Sequence, residues 1–176
     1  ISACLVGSEM CIRDSFHLGY MFQQREDDTT AYGLFEEMLT IAREWNCDAN
    51  VAASLALLGG AAGDLGRWEE AAGHCAEGLR LCRSGEPGDQ HHIAWGLTGL
   101  ARVALVRARP ARAVRMLGAA AALLAASSAP RWPNERADFD RLVASARTQL
   151  DEGAFAIAWS EGEAMPVEAV IAEALE

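Results

Sequence analysis

Lysine is absent from the 176 residues, and all 15 basic side chains are Arg. A phosphate-binding loop of the G-x-x-x-x-G-K-[ST] kind needs Lys to reach the terminal phosphates, so the segment carries no such loop. Schiff-base chemistry on Lys is excluded on the same ground. Aromatics are sparse at 7 %. No apolar run approaches the ~20 residues of a membrane helix, which predicts a soluble chain without a membrane partner. The five cysteines, Cys4, Cys11, Cys47, Cys75 and Cys82, are few and scattered. Cys75 and Cys82 fall on one expected helix, separated by about 10 Å of rise, too far for a bridge of ordinary geometry. Cys47, Cys75 and Cys82 are expected to be reduced, packed thiols, which points to the cytoplasm.

What is present is a repeat. Gly19, Gly59 and Gly99 recur 40 residues apart, each followed by a small residue at a near-fixed offset, Ala31, Ala71 and Ala113. A period of roughly 20–50 residues marks stacked helical hairpins, each covering its neighbour's apolar face. The run from Cys4 to Ser15 stands outside the pattern and resembles the translation of a transposase sequencing adaptor. Residues 1–15 are therefore expected to be an adaptor artefact and disordered, with native sequence from about Phe16.

The units follow from periodicity and breakers. The first begins with Phe16 to Phe22, turns through Gln23 to Thr30 and continues from Ala31 to Trp45. Leu34, Phe35, Met38, Leu39 and Ala42 form the apolar stripe of its second helix. The second runs from Ala49 to Arg83, with a turn near Asp64-Leu-Gly66 and a helix opened by Trp68-Glu-Glu70, whose carboxylates suit the positive end of a helix dipole. Ser84 to Gly88 breaks the chain, with Asp89 as the expected cap of the next helix. The third spans His91 to Arg107, turns at Ala108-Arg-Pro110 and ends at Ala126, with Ala113, Val114, Leu117, Ala120, Ala121 and Leu124 inward. Three hairpins over 16–133 thus precede capping helices over 134–176: one with the stripe Phe139, Leu142, Val143, Ala146 and Leu150, then two short ones. Small residues set the contact distance, so Gly59 is expected against Ala71, with Leu58, Cys75 and Leu79 beside them.

The units resemble tetratricopeptide repeats, which carry a Leu-Gly pair, an Ala 12 residues after the Gly and an aromatic 4 further on. Leu18, Gly19, Ala31 and Phe35 match. Leu58, Gly59 and Ala71 match with Cys75 in the aromatic's place; Trp95 and Gly99 remain in the third unit, where Thr98 replaces Leu and Ala113 comes two residues late. The resemblance implies an all-α, tetratricopeptide-like α-solenoid of antiparallel helical hairpins. A second resemblance covers about Leu97 to Leu175. Leu117-Gly-Ala-Ala120, Pro130, Ala146-Arg147, Leu150, Phe155, Ala158-Trp159, Glu161-Gly162, Met165, Glu168-Ala169 and Ala174-Leu175 look like the closing part of the helical-repeat region in bacterial signal-transducing ATPases and LuxR-type transcriptional regulators. It implies a non-catalytic protein-interaction or sensor segment of such a multidomain regulator. The alternative is a free-standing adaptor that binds a protein segment or an apolar effector.

Site expectations rest on repeat position and charge. The groove is expected to present Ala53, Ala56, Gly60, Gly63 and Asp64 in the second unit, and Ile93, Gly96, Leu100, Val103 and Ala104 in the third. Tyr20, Gln23, Gln24, Asp64, Trp95 and Arg102 are the expected partner-binding residues. The net charge of −10 hides a basic stretch, with 6 Arg and no acid between His91 and Pro133. Arg107, Arg109, Arg112 and Arg115 there form a possible docking patch for a protein partner or the neighbouring ATPase module of the same polypeptide; the other reading is a solvated face paired with acidic neighbours. No reader helix is recognisable, so direct nucleic-acid binding is not expected. Catalytic features are weak: His74 and Cys75 are adjacent on a helix and point to different faces, and His91-His92 with Asp89 lacks a second ligand pair at metal spacing. No cofactor and no metal are expected, and the chain is not expected to be an enzyme.

Overall fold

Left-handed backbone at four short connections lays out the chain. In this computed structural model, which describes residues 2–82, 89–127 and 133–176, the described residues form nine α-helices and no strand. They are α1 (Ser2–Gln23), α2 (Asp28–Glu44), α3 (Asp48–Asp64), α4 (Trp68–Leu81), α5 (Asp89–Val106), α6 (Pro110–Ala126), α7 (Pro133–Arg147), α8 (Glu152–Ala164) and α9 (Val167–Ala174). Glu26, Gly66 and Ala108 adopt positive φ of 61°, 73° and 55° after α1, α3 and α5, and Asn46 does so after α2. The same pair of bonds closes all four turns, with Cys47 N donating to Ala42 O and Asn46 N to Arg43 O after α2. Asp27 N donates to Phe22 O, Arg67 N to Ala62 O and Arg109 N to Ala104 O, while Glu26, Gly66 and Ala108 donate to the carbonyl three residues back. This is the left-handed C-terminal cap, and only Gly66 adopts it without the cost of a Cβ.

Helix starts are set locally as well. The Asp27 carboxylate accepts from Thr30 N at 3.1 Å and opens α2. Pro110 occupies the first turn of α6, where its missing N–H costs nothing. Asp151 caps α8 through Ala154 N at 2.9 Å. The breaker expected at 84–88 lies outside the described residues, as does the side chain of the expected cap Asp89.

Successive helices α1 to α6 each pack on the next, and α3 also packs on α5. The 40-residue period reappears as contacts between close helices. A methyl built on Gly19 would overlap the Phe35 ring, and one on Gly59 would overlap Cys75 Sγ and lie 3.2 Å from Ala71 O. Gly99 presses on the same sulfur from α5. Cys75 is thus clamped between two glycines, which explains why a thiol fits where the repeat pattern places an aromatic. Phe35, Leu55, Leu58, Leu79, Leu97 and Leu117 are fully buried around these contacts, each worth about 1.5–3 kcal/mol relative to exposure.

Two features depart from expectation. Residues 1–15, expected to be disordered, are helical from Ser2 and continuous with the rest of α1, with Ile12 and Ser15 buried. Leu18, the counterpart of fully buried Leu58, is 48 % exposed, along with Met10 and Met21 on the same helix. The beginning of α1 has no helix stacked before it among the described residues, so its repeat leucine lacks the neighbour that covers Leu58.

The C-terminal part is ordered by α8, whose main partner is α6. A methyl on Gly118 would sit 2.5 Å from Trp159 O, and one on Gly162 would overlap Arg115 O, so backbone meets backbone at this crossing. Phe155 and Trp159 stack on each other at 5.7 Å. They reach both α7, through Arg147 lying 4.0 Å over the Phe155 ring, and α6, through Trp159. Helix α7 touches α5, α6 and α8 less extensively and lies at the edge of the face formed by α1, α3 and α5.

Candidate functional site

Four helices converge on one concavity. Helix α1 contributes Phe16, Tyr20 and Gln23, α3 contributes Ala56, Leu57 and Gly60, α5 contributes Trp95, Thr98, Gly99 and Arg102, and α7 contributes Glu135 and Asp138. The spacing 95, 98, 99, 102 is one face of a helix, which is why these α5 residues look the same way. The cavity measures about 730 Å³ including its solvent-open mouth.

Its walls are aromatic. Phe16 stacks on Tyr20 at 6.4 Å and on Trp95 at 6.5 Å, joining α1 to α5. Trp95 Nε1 donates to Glu135 Oε1 at 2.8 Å and thereby holds α7 at the rim. His91 lies edge-on to Trp95 at 4.5 Å, with Nε2 3.4 Å from the same carboxylate oxygen. These contacts employ His91 in packing against Trp95 and Glu135.

The rim is charged. Arg102 forms an ion pair with Asp64, and Gln23 Nε2 donates to the other Asp64 oxygen at 3.5 Å. Asp138 pairs with Arg141, and a neighbouring depression bordered by Gln23, Gln24, Glu26, Asp28, Asp64 and Asp138 continues the mouth. Burial first, then repulsion from Asp64, Glu26 and Asp27, pushes the Asp28 carboxyl above the ordinary aspartate value, with Arg102 opposing.

All six residues expected to bind a partner, Tyr20, Gln23, Gln24, Asp64, Trp95 and Arg102, border this continuous mouth. The second-unit groove residues divide: Ala56 and Gly60 line the cavity, Gly63 faces the Arg102 side chain, and Ala53 is buried in the core. The third-unit expectation is corrected. Ile93 is buried, Gly96 faces Leu79, and Leu100, Val103 and Ala104, though largely buried, border a separate depression together with Arg107, Arg109 and Arg112. Helix α5 is covered by α3, α4 and α6 together, so these residues turn away from the cavity and the residues one to two positions along face it. Phe16, Leu57, Thr98, Gly99, Glu135 and Asp138 were not among the expected lining. Phe16 was legible as the residue one turn before Tyr20, whereas nothing local to α7 tells that it rims this cavity.

The arginine stretch proves heterogeneous. Arg112 donates to Glu173 O at 2.6 Å and Ala174 O at 3.2 Å, capping the C-terminal end of α9. Arg115 grips Glu173 through Nε and Nη2 at 2.8 and 2.6 Å, with Glu161 at 3.8 Å. Hydrogen bonding to Glu173 raises the guanidinium's pKa, against burial, and the charges of Glu173 and Glu161 add to it. These two side chains tie α6 to α8 and α9. Arg107 pairs with Glu69 at 2.7 Å in full solvent, where such a pair contributes little, and Arg109 is exposed at the start of α6.

The His74–Cys75 neighbours face apart. His74 Nε2 lies 3.1 Å from the Tyr32 hydroxyl, while Cys75 is fully buried and its thiol is pushed up to about 12 by desolvation, with Arg102 opposing weakly. A thiol in that state is not a nucleophile.

Fold and cavity together define a class: an all-helical scaffold whose open concavity has aromatic walls, a small-residue floor and a charged rim. No helix among the described residues is long and apolar enough to cross a membrane. Comparison with protein-family models, curated proteins and solved structures finds nothing that matches the chain.

Proposed function

We propose that the chain is a non-catalytic interaction and sensor segment built as a tetratricopeptide-like α-solenoid, acting within a bacterial signal-transducing ATPase or LuxR-type regulator in the cytoplasm. The observation that carries the reading is the meeting of α1, α3 and α5, the first helices of three successive hairpins, on one open cavity. A repeat stack presents its first helices along its inner face, and this is where such stacks hold partners. The equivalent contacts Gly19 on Phe35 and Gly59 on Cys75 support the repeat itself. Occupancy of the cavity is then the signal, and the neighbouring ATPase module is the receiver. Arg107 and Arg109 remain as its docking residues, since Arg112 and Arg115 engage α9.

Reading the coding DNA on both sides of residues 15 and 176 tests this proposal. A continuous frame carrying a phosphate-loop motif upstream, with a helix-turn-helix downstream, is the expected result. A frame without those modules transfers the same cavity to the second reading, a free-standing adaptor, which the aromatic and apolar lining also supports. Turnover by the purified chain that is lost on His92→Ala or Cys75→Ala would overturn the non-catalytic assignment.

A further inference from the structure

Resting on the reading of this cavity as a binding site, we infer that its ligand is a small organic cation, an ammonium, guanidinium or phosphonium group on an apolar or aromatic body. Size comes first. The enclosed part of the cavity is only about 120 Å³, but it opens to solvent, so a cationic head can seat against the walls while the body of the ligand projects from the mouth. Composition comes second. Phe16, Tyr20 and Trp95 supply ring surface on two sides of a floor of Ala56, Leu57 and Gly60. Ring faces attract a desolvated cation through their quadrupole and reject an anion.

Charge at the mouth has the matching sign. Five carboxylates, Glu26, Asp28, Asp64, Glu135 and Asp138, border the cavity and its continuous depression, against the two guanidiniums Arg102 and Arg141. Both guanidiniums are ion-paired, with Asp64 and Asp138. An anionic ligand would have to break one of those pairs and then sit among the remaining carboxylates. A cation meets a mouth that is already negative. Gly60 on the floor has open space above its Cα, since a Cβ there meets no atom within 4 Å.

The test uses two ions of the same shape and opposite charge, tetraphenylphosphonium and tetraphenylborate, titrated calorimetrically into the full chain. The cation should bind at least about tenfold more tightly than the anion, a difference of ~1.4 kcal/mol. Gly60→Leu, which fills the floor, should abolish binding, while Gly73→Leu, on a helix surface outside the cavity, should leave it intact. Asp28→Asn and Asp138→Asn should each weaken the cation severalfold and strengthen the anion. Circular dichroism checks that each variant is folded. Equal or tighter binding of the borate overturns the cation assignment while leaving the cavity a binding site. Absence of both, or binding indifferent to Gly60→Leu, overturns the ligand inference and the site beneath it. Binding only of an Arg-bearing peptide, with neither small ion, overturns the small-molecule assignment in favour of a protein segment.

Discussion

Adjacent glycines in α3 should respond oppositely to the same substitution. Gly59→Ala places a methyl into Cys75 Sγ and 3.2 Å from Ala71 O. The sulfur cannot retreat, because Gly99 closes its other side and the residue is fully buried. Overpacking of this kind costs about 1–3 kcal/mol, offset by about 1 kcal/mol from the better helix propensity of Ala. The net is a loss of about 1–2 kcal/mol, the upper half of that balance, since neither neighbour can move. Gly60→Ala meets nothing within 4 Å, so only the propensity gain of up to about 1 kcal/mol remains. Urea unfolding followed by far-UV circular dichroism, at constant m-value, reads both changes as shifts in midpoint. Cys75→Ala removes the obstacle, so the Gly59→Ala/Cys75→Ala pair should be less destabilised than the sum of its parts by about 1 kcal/mol or more. Additivity within about 0.5 kcal/mol, or a stabilised Gly59→Ala, would falsify the sulfur-between-glycines contact as the seal of this stack.

Further outcomes are expected at the C-terminal crossing, at one turn and at Cys75. Gly162→Ala puts a methyl into the Arg115 carbonyl, backbone against backbone, and should raise amide exchange throughout α8 and α9; unchanged protection there would refute the α6–α8 crossing. Arg115→Ala removes the grip on Glu173 and should speed exchange over Val167–Ala174 without affecting α3, whereas an effect confined to partner binding would restore its docking role. Ala108→Gly relieves a left-handed Ala at φ 55° and should stabilise by about 1 kcal/mol in thermal melts; a loss would mean the turn is not left-handed. The Cys75 thiol, pushed from 9.0 to about 12, binds its proton in the folded chain while the unfolded thiol has lost it. Stability should therefore fall as pH rises from about 9 towards 12. Site-resolved alkylation at pH 8 should modify exposed Cys11 quickly and Cys75 only on unfolding, and rapid labelling of native Cys75 would contradict its burial.

Helix boundaries were legible because their signals are local. Pro110 starts α6, the turn at Asp64-Leu-Gly66 ends α3, and the period of small residues located the contacts of Gly19 and Gly59 before any coordinate. Asp27 and Asp151 cap their helices through bonds to residues three along the chain. The left-handed turns at Glu26 and Ala108 were not legible, since neither residue favours that backbone, and tertiary packing imposes it.

The residues of the cavity were half legible for a related reason. Tyr20, Trp95 and Arg102 follow from repeat position, but α3 and α6 are apolar around nearly their whole circumference. Periodicity cannot choose a buried face when every face is apolar. The chain by itself thus determined an all-helical protein, the placing of its helices, and the Gly, Ala and Cys positions at which helices approach. Only the tertiary structure decided that α8 and not α7 covers α6, that Arg112 and Arg115 bind α9, and that Glu135 and Asp138 rim the cavity. Those choices depend on surface buried between residues far apart in the chain, such as Gly118 and Trp159 or Arg112 and Glu173, whose free energy belongs to the assembled contact and is written in no single helix.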